Sequence, residues 1–188
     1  LEGFVPFERE LSLVGVRGRS GETAFWPLAE NSHAHGILRQ TRAPWEDAAL
    51  QALAERHLRA LLERFDYVGV LTVEFFLLDG VLLANEMAPR VHNSGHWTIE
   101  GAVTSQFENH VRAILGLPLG STRATGHAAM VNFIGRMPAL EDVLAIEGAH
   151  YHDYGKSARP NRKLGHCTVV CATAAERDAA LARVAALA

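Results

Sequence analysis

Residues 68–90 read VGVLTVEFFLLDGVLLANEMAPR. Two apolar runs, Val68 to Leu78 and Val81 to Met87, flank Asp79-Gly80, a dipeptide that strongly marks a tight turn between antiparallel strands. The stretch therefore predicts a hairpin and, with it, an antiparallel sheet. Inside the hairpin sit Glu74 and Glu86. A carboxylate within an apolar strand is costly unless it is paired or holds a cation. The two are thus either edge residues paired with arginine or part of a cation site. Parity bears on the choice. If Asp79-Gly80 is an ideal two-residue turn, Glu74 lies opposite Asn85 and Glu86 points to the other face. If the loop is Leu78-Asp79-Gly80 with Gly80 left-handed, both carboxylates share a face about 7–8 Å apart and can flank Mg²⁺. We expect the second register.

Downstream, Arg90-Val91-His92-Asn93-Ser94-Gly95-His96-Trp97-Thr98 crowds donors directly after Glu86. Donors beside a divalent cation suit phosphate oxygens, which arginine forks and Asn, Ser and backbone groups satisfy. A polar solvent loop is the plain alternative. Zinc is disfavoured: His92 and His96 have helical ligand spacing, but Asn93-Ser94-Gly95 is poor helix and nothing completes a tetrahedral set. Farther on, residues 154–166 read YGKSARPNRKLGH, with four cations, Lys156, Arg159, Arg162 and Lys163, in eight positions and no acid. That is a local anion pocket or a solvated basic loop. It lacks the order of a Walker loop and the interleaved aromatics used to stack on nucleic acid.

The flanks supply the scaffold. Phe4 to Gly18 and Thr23 to Leu28 predict two extended runs joined by a polar, Gly-rich turn. His33-Ala34-His35-Gly36 reads as loop. Residues 45–65 place apolar side chains three and four apart behind acidic Glu46 and Asp47, an amphipathic helix. A second helix is expected from about Thr104 to Leu115, stopped by Gly116-Leu117-Pro118, with a linker over 119–125. Then come a strand at Ala128 to Ile134, a short helix at Leu140 to Ile146, strands at His150 to Tyr154 and Lys163 to Ala172, and a helix from Ala174 to Leu187. Cys167 and Cys171 fall on one strand face as small hydrophobes, and two cysteines make no disulfide framework. A net charge of −3 offers no basic field, and no apolar run is long enough to span a bilayer. Nucleic-acid and membrane partners are therefore not expected, and a cytoplasmic location is. The chain opens without Met inside an extended run, so a fragment of a longer protein is expected.

A carboxylate on one strand, an Asn-Glu pair ending the next strand twelve residues later and an arginine four further on resemble the ATP-grasp ligases. NEMAPRVHNSGHWTIEGAVTSQFENHVRAILGLPLG (85–120), with GKSARPNRKLGH (155–166), is similar to the 5-(carboxyamino)imidazole ribonucleotide synthase family of purine biosynthesis. The resemblance covers essentially the whole chain. It implies an α+β fold: the second half of an ATP-grasp domain, an antiparallel sheet with helices, over residues 1–118, then a small C-terminal mixed β domain with helices over 119–188. The implied reaction is carboxylation of 5-aminoimidazole ribonucleotide with bicarbonate, driven by ATP with Mg²⁺ through carboxyphosphate, in a homodimer.

The same resemblance assigns residues. Glu2, Gly3, Phe4 and Val5 would be the hinge strand at adenine, Glu10 the ribose ligand and His33 another nucleotide contact. Glu74 and Glu86 match the metal ligands, with Asn85 and Glu86 on the triphosphate. Arg90 matches the catalytic group facing the transferred phosphoryl. His92, Asn93 and Ser94 match the loop toward the ribonucleotide, and Lys156, Arg159, Arg162 and Lys163 the pocket for its 5′-phosphate. Asn161 stands where the family has glycine; asparagine tolerates left-handed backbone, so the turn is expected to survive. The first half of the grasp, with its phosphate loop and lysines, is not among these residues, so turnover by the fragment alone is not expected. The rivals are another ATP-grasp ligase, such as a formate-using transformylase or a biotin carboxylase, and a nucleotide-binding module without turnover.

Overall fold

The computed structural model describes residues 3–188, so Glu2 lies outside them. Strand β1 (Arg9–Arg17) pairs with β2 (Thr23–Phe25), the hairpin expected there. Phe4 to Glu8 fall outside β1, and Gly3 to Val5 form no strand, which corrects the expected hinge strand. A second correction concerns the segment read as loop: β3 (Ala29–Ala34) turns through His35 and Gly36, both at positive φ, into β4 (Ile37–Ala43). Only its two alanines are apolar, so β3 shows no hydrophobic alternation.

Strand β5 (Gly69–Leu78) pairs along the length of β1 and forms a hairpin with β6 (Val81–Ala88). The remaining strands are β7 (His127–Ile134), β8 (Ala149–Asp153) and β9 (Lys163–Cys171). They run in the order β6-β5-β1-β3-β4-β7-β9-β8, every pairing antiparallel, and the β4–β7 pairing makes the C-terminal strands part of one sheet.

Alternation along the strands decides which face each helix covers. Leu11, Leu13, Leu71, Val73 and Phe75 bury against Ala54, Leu58 and Leu62 of α1 (Ala48–Arg64), whose first turn is capped by the Asp47 carboxylate. On the same face Val131, Phe133, Cys167 and Val169 pack with α4 (Leu140–Leu144) and with α5 (Ala174–Leu187). A capping box between Thr173 and Glu176 starts α5. The opposite face carries Val14, Val16, Trp26, Met130 and Trp97. It is covered in part by a 3₁₀ turn (Asn93–Gly95), α2 (Thr98–Gly101) and α3 (Gln106–Leu115), which ends at left-handed Gly116. The uncovered remainder of this face holds the polar side chains.

Candidate functional site

The hairpin settles the parity question in a way neither register foresaw. Asp79 (φ 49°) and Gly80 (φ 76°) form a two-residue turn with Leu78 opposite Val81, so the expected three-residue loop is incorrect. A bulge then intervenes: Phe75 pairs with Ala84 but Glu74 with Glu86, leaving Asn85 as the extra residue. A regular strand must send Asn85 and Glu86 to opposite faces. The bulge relaxes that constraint, and both line one cavity with Glu74.

This cavity, about 400 Å³, is lined by Glu10, His33, Gly36, Leu38, Glu74, Asn85, Glu86, Arg90, His92, Asn93 and Lys163. Glu74 and Lys163 belong to strands five places apart, about 24 Å on a flat sheet, so their meeting here requires a strongly curled sheet. One oxygen each of Glu74 and Glu86 and a ring nitrogen of His92 lie within 4.8 Å of one another. His92 Nε2 is 3.7 Å from Glu74 Oε1, and His33 Nδ1 is 3.0 Å from Glu10 Oε2.

Electrostatics follow from this crowding. Burial raises the Glu74 pKa above the ordinary carboxylate value, and Glu86 and Glu10 push it further, against the opposing pull of His33 and Lys163. Burial also lowers Lys163, and takes His92 down to about 4 with the help of Arg90. The site therefore sets close carboxylates against a cationic rim of Arg90 and Lys163, with a neutral imidazole between them. Two carboxylates facing each other from adjacent strands make a hard oxygen set suited to Mg²⁺, with Asn85 beside them.

Two residues with no sequence motif hold the loop in place. The His92 N–H donates to Gln106 Oε1 (2.9 Å), while Gln106 Nε2 donates to the His92 carbonyl (2.6 Å). Asn93 and Asn132 exchange amide hydrogen bonds at 3.0 and 2.7 Å, and Asn132 also donates to the Leu38 carbonyl. Ser94, expected at the ribonucleotide, is fully buried with its hydroxyl 2.8 Å from His92 Nδ1. A buried amide looks like any surface amide in sequence, so only the fold reveals Gln106 and Asn132.

The basic run divides. Lys163, at the start of β9, lines the cavity, whereas Lys156, Arg159 and Arg162 lie outside its lining, on a loop around the turn at Asn161. Asn161 does adopt left-handed backbone (φ 61°). Gly3, Phe4 and Val5 do not line the cavity either.

Comparison with known proteins agrees with this geometry. Residues 1–107 match the ATP-grasp domain family, and residues 128–180 match the phosphoribosylaminoimidazole carboxylase C-terminal domain. The N5-carboxyaminoimidazole ribonucleotide synthase of Pseudomonas aeruginosa is 57% identical over 187 residues, 100% of this chain and 52% of that protein. The crystal structure of the Thermus thermophilus synthetase superposes with a TM-score of 0.97 at 58% identity, covering 99% of this chain and 52% of that one. An Aspergillus clavatus synthase in complex with ADP and 5-aminoimidazole ribonucleotide matches with a TM-score of 0.90 at 34% identity, over 98% of this chain and 52% of that one. The chain thus spans about half the length of these relatives. With its carboxylates, bulged Asn-Glu pair and arginine gathered in one cavity and more than half its length matched, the chain belongs to the ATP-grasp family.

Proposed function

We propose that this chain forms part of an enzyme that carboxylates 5-aminoimidazole ribonucleotide with bicarbonate, converting ATP to ADP and phosphate. The observation that carries the reading is the meeting of Lys163, from the basic C-terminal segment, with Glu74, Asn85 and Glu86 in one cavity. An acidic, cation-holding end and a basic end joined in one space suit a nucleotide triphosphate beside a second phosphorylated substrate. The Aspergillus relative, which binds ADP and 5-aminoimidazole ribonucleotide, supports the same pair of ligands.

In this reading Glu74 and Glu86 would hold Mg²⁺, which neutralises phosphate charge when bound. Arg90 stabilises negative charge on the transferred phosphoryl as bicarbonate attacks it, and no covalent protein nucleophile is needed. Glu10 and His33, paired to each other, orient the nucleotide. His92 and Asn93, fixed by Gln106 and Asn132, orient the ribonucleotide next to Arg90. Lys163 meets the phosphate end of that substrate, with Lys156, Arg159 and Arg162 along its approach. A division near residue 118, a cytoplasmic location and a homodimer complete the proposal. The exposed stripe Phe107, Val111 and Ile114 on α3 is apolar surface that a second copy can cover. Among the described residues no helix is long and apolar enough to cross a membrane.

The test is phosphate release from ATP by the full-length protein with Mg²⁺ and bicarbonate, with and without 5-aminoimidazole ribonucleotide. Strong stimulation with a carboxylated product is expected. ATP binding without stimulation would instead assign the chain to another ATP-grasp ligase.

A further inference from the structure

Beside the cavity lies an aromatic cluster to which the proposed chemistry gives no role. His166, 1% exposed on β9, stacks on His152 with ring centroids 4.3 Å apart and planes 9° from parallel. His96 from the 90–98 loop approaches His166 at 5.2 Å. His152 is tied by Nε2 to Glu100 of α2 at 2.7 Å. On the other side of His166, its Nδ1 lies 2.8 Å from the Tyr154 hydroxyl.

Tyr154 occupies a particular place in the chain. It is the last residue before the basic loop, whose left-handed Gly155 follows directly. The Lys156 ammonium rests over its ring at 5.0 Å. The Tyr154 N–H donates to the Leu164 carbonyl at 2.9 Å, and the Gly135 N–H to the Arg162 carbonyl at 2.9 Å, which pins the two ends of the loop near one another. Between these ends, Lys156 and Arg159 are exposed. Arg162 is held within the loop by the Ser157 carbonyl and hydroxyl, whereas Lys156, its first cation, leans on the Tyr154 ring, and that ring is fixed at its hydroxyl by a buried imidazole. A β9 bulge at Leu164 helps by letting Lys163 reach the cavity while His166 meets His96 and Tyr154.

We propose that the Tyr154–His166 pair is the positioning element of the basic loop. It sets the approach of Lys156 and its neighbours to the phosphate end of the ribonucleotide without touching substrate. The pair is electrically quiet: burial keeps the imidazole neutral and the phenol protonated, so it contributes direction rather than charge. This inference rests on the substrate assignment made above.

The experiment compares Tyr154→Phe, His166→Leu and His166→Asn with the unmodified full-length protein. Tyr154→Phe keeps the ring and the Lys156 contact and removes only the hydroxyl; His166→Asn retains an amide group where Nδ1 stood. Expected is a roughly tenfold higher KM for 5-aminoimidazole ribonucleotide in Tyr154→Phe and His166→Leu, an unchanged KM for ATP, and substantial recovery in His166→Asn. That tenfold rise corresponds to about 1.4 kcal/mol, the scale of one hydrogen bond. An unmoved ribonucleotide KM, or equal rises for both substrates, would overturn the proposal. A second readout is independent of the substrate: at a temperature well below the thermal midpoint of both proteins, trypsin should cut after Lys156 and Arg162 several-fold faster in Tyr154→Phe, with cleavage elsewhere in the chain unchanged. If the unmodified protein shows no ribonucleotide-stimulated turnover, the substrate assignment fails while the trypsin comparison still decides whether Tyr154 holds the loop, and equal cleavage rates overturn it.

Discussion

Glu74 shows how a single side chain reports its purpose. A carboxylate whose pKa is raised by burial and by two acidic neighbours is poorly placed for stability and well placed for a cation. Glu74→Gln should therefore raise the thermal midpoint of the cation-free protein by about 2–4 °C, the effect of roughly 1 kcal/mol in a chain of this size. A lowered midpoint would mean that the carboxylate serves the fold. Glu86→Gln should abolish ATP turnover in the full-length protein while leaving its circular dichroism unchanged; undiminished turnover would remove the metal assignment. Both acids were legible in the sequence because charge inside an apolar run stands out. Gln106 and Asn132 were not, since their value lies in partners supplied by other elements.

At the scale of elements, the β5–β6 hairpin announced itself through Asp79-Gly80, but its bulge did not, because an extra residue in a ladder leaves no mark on composition. Deleting Asn85 makes a strong test. The ladder then becomes regular, the residue after Ala84 is Glu86, and it still falls opposite Glu74. Folding stability should stay within about 1 kcal/mol, as for other changes that bury no polar group and open no cavity. ATP binding, measured by calorimetry on the full-length protein, should weaken at least tenfold through loss of the amide. Unweakened binding would show that Asn85 is only a spacer. The β3–β4 pair escaped sequence reading for a different reason: Asn31 and Thr41 bond each other in the interior, so polar residues stand where a strand pattern calls for apolar ones.

For the whole molecule, buried imidazoles link folding to pH. Burial holds His166 down to about 2 and His96 down to about 4, both below the ordinary 6.5. The unfolded chain therefore takes up protons that the folded one excludes once the pH drops below about 6.5. Stability is full above that value and falls by about 1.4 kcal/mol per pH unit for each excluded proton. Urea midpoints at pH 7.5 and 5.0 should show the lower value at 5.0, with a smaller drop in His166→Asn; equal midpoints would refute this. Individual helices and strands were readable from periodicity and turns and the α+β architecture from the family resemblance, whereas the joining of all strands into one sheet was not, because strand order is set by pairings distant in sequence. The β4–β7 pairing runs over only four residue pairs, Gln40 to Ala43 against Val131 to Ala128. Backbone ladders are indifferent to side-chain identity, but Ala128 and Met130 of β7 also enter the core with Val14, Val16 and Trp97, so exchange at this short border must match that packing as well as the register. On the proposed function, a different C-terminal unit that presents a strand in the same register, with apolar residues at the places of Ala128 and Met130 and an amide at that of Asn132, would offer another acceptor to the same nucleotide site.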